Sequence, residues 1–140
     1  MYTYKYPRPA LTVDAIIYTS NKFPEILLIR RGQQPFKGKW ALPGGFVNMD
    51  ELLEVACIRE LKEETGLTVP KMAQFKTYDA VGRDPRHRTI SVVFAAEITQ
   101  KEEVKGGDDA DRAKWFQLNN LPELGFDHAQ IIHEFFNQPQ

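Results

Sequence analysis

The chain is poor in cysteine: Cys57 is the single one among 140 residues. An internal disulfide is therefore excluded, and a reducing compartment fits. It also lacks a charge excess, since 18 basic side chains against 19 acidic ones leave a formal net charge of −1. No overall basic field is available to gather nucleic acid or an anionic membrane surface. Apolar runs stay far below the length that spans a bilayer. The opening stretch MYTYKYPRPA has no apolar core of the kind a secretory signal needs. Repeats, low-complexity tracts and linker-like segments are absent as well. The expectation is a cytoplasmic protein without nucleic-acid or membrane partners.

What is present is ordinary globular material, with 42% apolar and 26% charged residues, a balance unlike that of a disordered chain. This length suits one domain with one core, and residues 1–140 are read as that domain. Residues 11–18 and 25–30 read as strands, rich in β-branched side chains and separated by a turn-like TSNKFP. Residues 71–79 and 89–98 read as further strands, and 113–118 as a short one. Residues 40–43 look like a short strand stopped by Pro43, and the pair Gly44-Gly45 is expected to interrupt regular structure. Asn48, three residues ahead of Glu51, predicts capping of a helix. That helix should run to about Thr65 and stop at Gly66 in the left-handed conformation. Asp127 is expected to cap a last helix reaching Phe136. Strands and helices mix without regular alternation, which predicts an α/β domain with a mixed sheet packed by helices.

The first helix carries an oddity. At about 100° per residue, Glu60, Glu63 and Glu64 fall within one arc, and Leu52, Leu53 and Ala56 lie on that arc one to two turns earlier. Like charges at this spacing repel by a few tenths of a kcal/mol per pair. A solvated face would tolerate them, but these glutamates continue the stripe that should face inward. Converging carboxylates at the edge of a core form an oxygen-rich site for a hard divalent cation such as Mg²⁺. The cation would offset the repulsion. Arg59 adjoins the cluster and can hold one carboxylate by a bidentate hydrogen bond.

Residues 45–67 resemble the Nudix box of the Nudix hydrolase family. Gly45 is followed by five residues, Glu51, seven residues, Arg59-Glu60-Leu61, Lys62, Glu63-Glu64, Thr65, Gly66 and Leu67. Every fixed position of the family pattern is filled. The resemblance implies an α/β/α sandwich with a mixed β-sheet, and hydrolysis of a nucleoside diphosphate linked to another moiety X. It implies Glu60 and Glu64 as principal metal ligands, with Glu63 and the Gly44 carbonyl beside them. Glu51 and Arg59 would brace the loop and helix. Glu63, Glu64 and Arg59 would then form the catalytic group around Mg²⁺, for which Mn²⁺ can substitute. The base that takes a proton from water stays open between Glu63 and the more distant Glu97, Glu102, Glu103, Asp108 and Asp109.

Further stretches, TVDAII, GKWALPGGF, GRDPRHRTISVVF, GGDDADRAKWF and LGFDHAQII, resemble the ADP-ribose pyrophosphatase branch of that family. They also resemble the Nudix domains of nicotinamide-cofactor salvage and of its repressors. Within 82–88, Arg83, Arg86, His87 and Arg88 supply donors for phosphate or ribose oxygens. Arg30 and Arg31 end a strand where either can point at a phosphate; Arg31, Arg83 and Arg86 are the candidate substrate-binding side chains. Trp40 and Trp115 are expected in the core, and His128 and His133 as packing residues near the last helix. The leading reading is Mg²⁺-dependent hydrolysis of ADP-ribose, or a related ADP-sugar, to AMP and a sugar phosphate. Cleansing of nucleoside triphosphates by the same box is the alternative enzyme. An ADP-ribose-sensing module without catalysis is the alternative of another kind, against which the intact glutamates and the short length both speak. The resemblance also implies a homodimer, with the aromatic start YTYKYP as a candidate part of the contact.

Overall fold

The computed structural model describes residues 2–107 and 110–139, with Asp111 by its backbone alone. β1 (Ala10–Thr19) runs parallel to β6 (Thr89–Ile98), in register from Ala10↔Thr89 to Thr19↔Ile98. Parallel neighbours need a long crossover, and α1 (Leu53–Thr65) lies within it. β5 (Ala73–Tyr78) pairs antiparallel with the far side of β6. The other edge of β1 is shared. β2 (Glu25–Arg31) meets it at Tyr18, whereas β4 (Gly44–Phe46) pairs with Thr12, Val13 and Asp14. β3 (Trp40–Ala41) and β7 (Ala110–Gln117) both pair antiparallel with β2. The sheet is mixed, as expected, in the order β3-β2-β1-β6-β5, with β4 and β7 off that path.

Side chains alternate across a strand, and both faces of this sheet are covered. Val13, Ala15 and Ile17 of β1 pack with Ala56, Cys57 and Leu61 of α1. Ile16 packs instead with Ile131 and Ile132 of α2 (His128–Phe136). Helix, sheet and helix form the α/β/α sandwich. Trp40 and Trp115 pack against these two cores, as expected, each partly buried. Among the described residues, no helix is long and apolar enough to cross a membrane.

Several local expectations change. The Gly44-Gly45 pair does not interrupt regular structure; it forms β4. A Cβ on Gly45 would lie 2.5 Å from the Glu60 carboxyl carbon, and one on Gly44 2.5 Å from Asp14 Oδ1. Glycine thus lets this strand approach both β1 and α1. Asn48 and Glu51 do bond, amide to carboxylate at 3.0 Å, but α1 starts beyond them. Its N-cap is Leu52, in extended conformation and without a side-chain cap. Leu52 is 76% exposed, so the inward stripe begins at Leu53. Gly66 ends the helix with φ 79°, as expected. Asp127 occupies the N-cap of α2 but makes no capping bond, because its carboxylate is taken elsewhere. β7 also takes in Ala110 to Arg112, which were expected in a loop.

Candidate active site

Where β2 and β4 part along the edge of β1, a cleft of about 620 Å³ opens. One wall is the C-terminal half of α1, organised by Arg59. Its Nε and Nη2 donate to the two oxygens of Glu51 at 2.8 and 2.9 Å. Nη1 donates to Glu60 at 2.9 Å and to both oxygens of Glu63 at 3.2 Å, and Nη2 also reaches the Phe46 carbonyl at 3.1 Å. A planar fork of five donors suits this task, and a point-charge ammonium does not. The bonds from Arg59 hold the Glu51 carboxyl down to about 2. In return Glu51, then Glu60 and Glu63, keep the guanidinium charged above its ordinary range. The loop before α1 is braced to the helix, as expected.

Glu64 sits deeper, 7% exposed, with Oε1 accepting the Gly44 amide at 2.7 Å. Burial is the main force pushing its carboxyl up to about 9; Glu60 and Asp14 add to it, while the Gly44 amide and Arg31 oppose it. Such a carboxyl keeps its proton at neutral pH and gives it up in the field of a cation. The expected convergence of three glutamates takes a different form. Arg59 draws Glu60 and Glu63 to itself, and the Gly44 amide draws Glu64. Among the described residues, no three acidic, histidine or cysteine side chains form a ready metal cluster. The donor chemistry nevertheless fits a hard cation, since Asp14, Glu60, Glu63, Glu64 and Gly44 line one cleft and offer oxygen.

Arg31, Arg83 and Arg86 also line the cleft, but much of their donor capacity is committed. The Arg83 side chain is 5% exposed and forks onto Asp127, with Nε and Nη2 at 2.9 and 2.7 Å from its oxygens. Burial works against the Arg83 charge, and the Asp127 pair more than restores it. Arg86 grips Asp84 through Nε at 3.1 Å and Nη2 at 2.8 Å. Despite burial, that grip holds the Asp84 carboxyl down to about 2. Arg31 donates from Nε to the Pro35 carbonyl at 2.7 Å. Arg88 donates to the Asp79 carbonyl and His87 pairs with Thr89; neither these two nor Arg30 lines the cleft.

Asp14 and His128 line the cleft as well and escaped the sequence as site residues, as did the fully buried Ser91 that Asp14 meets. Ser91 donates to Asp14 Oδ2 at 2.5 Å. His128 Nδ1 accepts the Leu42 amide at 2.9 Å, which places the ring proton on Nε2, 3.7 Å from Asp14 Oδ1. Burial keeps His128 below its ordinary range and therefore neutral. The available signal was Asp14 itself, a carboxylate on an inward strand position that must find partners. His133 is exposed and meets Asn137. Of the distant base candidates, Glu97, Glu102 and Glu103 do not line the cleft, and Asp108 and Asp109 lie outside the described residues.

The NUDIX domain family model matches residues 8–135 of this sequence. The chain belongs to the NUDIX domain family. One relative, the ADP-ribose pyrophosphatase of Methanocaldococcus jannaschii, is 49% identical over 130 residues, 93% of this chain and 75% of that protein. The solved NUDIX domain of Shewanella oneidensis NrtR, complexed with ADP ribose, has a TM-score of 0.87 at 31% identity, covering 94% of this chain and 88% of that one. A bifunctional NMN adenylyltransferase/ADP ribose pyrophosphatase from Francisella tularensis, solved with AMP and a Mn ion, has a TM-score of 0.81 at 33% identity. There the match covers 95% of this chain and 42% of the other. NUDIX hydrolases use divalent metals, in keeping with the oxygen donors of the cleft.

Proposed function

We propose that this NUDIX domain is a Mg²⁺-dependent hydrolase that splits the diphosphate of ADP-ribose, or of a close ADP-sugar, into AMP and a sugar phosphate. One observation carries the reading: a single cleft joins the glutamates of α1 to the side chains of Arg31, Arg83 and Arg86. A diphosphate needs both, cationic donors for its own charge and carboxylates for the metal that accompanies it. The relative named ADP-ribose pyrophosphatase and the NUDIX domain solved with ADP ribose support this choice of X.

Glu60, Glu63, Glu64 and the Gly44 carbonyl are our metal ligands. A divalent ion held there would neutralise diphosphate oxygens and make water a better nucleophile. Arg59 keeps Glu60 and Glu63 on one wall, so their geometry is set before substrate arrives. Water oxygen bonds to one phosphorus while the bridging oxygen departs with the other phosphate, and the proton of the water passes to a carboxylate. Glu63 is our candidate acceptor. Its side chain is 39% exposed, and its bonds to Arg59 are the longest that the guanidinium makes to a carboxylate. Arg31 and Arg86 bind the diphosphate, and Arg83 holds the loop 82–88 in place through Asp127.

The same reading takes residues 1–140 as one domain acting as a homodimer in the cytoplasm. Sedimentation tests the dimer. Chromatographic product analysis tests the chemistry: AMP and ribose phosphate in equal amounts are expected from ADP-ribose with Mg²⁺. Release of ADP or of free ribose would overturn it.

A further inference from the structure

Two non-glycine residues among those described have positive φ, Phe36 at 62° and Phe126 at 53°. A bulky side chain is disfavoured there, so neighbours must hold each one in place. They hold each other: the two rings meet edge to face with centroids 4.8 Å apart. Between Phe126 and β3, Gly125 donates its amide to the Trp40 carbonyl. A Cβ on Gly125 would lie 3.0 Å from Phe36 Cβ, so the backbone packs directly against that side chain. On the other side, Asp127 is gripped by Arg83 and His128 is buried. The chain is pinned before and after Phe126, and the strained conformation leaves its ring lining the cleft.

That ring has two cations beside it. The Arg31 guanidinium lies 4.9 Å from its centroid and that of Arg86 lies 5.9 Å away. These arginines come from unrelated segments, the end of β2 and the loop after β5. Each is anchored at its Nε, Arg31 by the Pro35 carbonyl and Arg86 by Asp84. Asp84 offsets part of the Arg86 charge, and the Phe46 ring lies as near to Arg86, also at 5.9 Å. Among the described residues, however, Phe126 is the ring that both arginines share, and its π system offers each a partner of opposite partial charge.

We infer that Phe126 is a positioning residue whose π face holds Arg31 and Arg86 together as one anion-binding pair. It acts through the arginines and does not touch the reacting atoms. The inference rests on the diphosphate reading of the cleft and adds what gathers its cationic side. It also gives the positive φ a purpose, since backbone strain at a binding site persists only where surrounding structure enforces it.

The test compares Phe126→Leu with Phe126→Tyr. Leucine keeps apolar bulk at the same φ and removes the π face; tyrosine keeps the face. With ADP-ribose, Phe126→Leu should raise KM about tenfold and leave kcat within about twofold, with unchanged Mg²⁺ activation. Phe126→Tyr should keep KM within about twofold of the parent. Calorimetric titration with inorganic pyrophosphate gives a second readout that needs no turnover, and the same tenfold and twofold pattern is expected. If the parent fails to turn over ADP-ribose while the pyrophosphate pattern holds, the choice of substrate is wrong and the role of Phe126 stands. Equal losses in both variants, a parental KM in Phe126→Leu, or a fall in kcat matching the rise in KM would each overturn it. Should the leucine variant not fold, Phe126→Met makes the same comparison.

Discussion

Replacing Glu64 with glutamine should stabilise the metal-free protein even as it removes activity. The parent carboxyl, ordinarily near 4.5, is pushed up to about 9 in the folded state, chiefly by burial. Between those values the folded state holds a proton that the unfolded chain has released. The folded state therefore binds more protons there, and stability falls as pH rises. At about 1.4 kcal/mol per pH unit, the interval from 4.5 to pH 7 is worth about 3 kcal/mol. Glutamine resembles the protonated acid, and its carbonyl can still accept the Gly44 amide, which now donates to Glu64 Oε1 at 2.7 Å. Urea midpoints in EDTA at pH 5, 7 and 8.5 measure the effect. Parent and Glu64→Gln should unfold alike near pH 5, with the variant gaining about 3 kcal/mol by pH 7 and more above it. Added Mg²⁺ should then stabilise the parent more than the variant, because ligand binding to the native state adds stability. Parallel pH curves for the two proteins would mean that Glu64 is not protonated in the folded, metal-free state.

Arg59→Ala strands Glu51, whose side chain is 10% exposed, and should cost about 3 kcal/mol together with most of the activity. Arg59→Lys should recover little of either, as judged by denaturant midpoints and kcat, because an ammonium cannot reproduce the fork. Gly45→Ala should abolish turnover by displacing Glu60, from which the new Cβ would lie 2.5 Å away; near-parental kcat would show that the strand can retreat. Arg83→Ala should lower stability by about 3 kcal/mol, since it leaves the Asp127 carboxylate, 17% exposed, without its partner. Arg83→Ala/Asp127→Asn should melt higher than the single variant; if it does not, the pair is not what holds that loop.

The box was legible because its chemistry is local. Gly45, Glu51, Arg59 and the glutamates are spaced so that one loop and one helix bring them together, and the fork of Arg59 reaches back only eight residues to Glu51. A mixed sheet packed by helices was legible too, from β-branched strands and helices that follow one another without regular alternation, while the sandwich itself came from the family resemblance. The partners of the cleft residues Asp14 and His128 were not legible. Asp14 finds Ser91 across 77 residues, and His128 meets the Leu42 amide across 86. Such partners are fixed by the parallel pairing of β1 with β6 and by the docking of α2, neither of which local spacing reveals. Arg83 looked available because its partner Asp127 is 44 residues away. For the same reason Asp127 looked like a helix cap, although its carboxylate belongs to that pair. Gly44 and Gly45 read as a break because glycine weakens strands; here the nearness of Asp14 and Glu60 calls for it.

Hydrolysis of ADP-ribose is tested most directly by kcat/KM of the purified protein with Mg²⁺ for ADP-ribose and for nucleoside triphosphates, measured side by side. ADP-ribose should be preferred by at least about tenfold, with AMP and ribose phosphate as its products. A triphosphate turned over faster than ADP-ribose would contradict it.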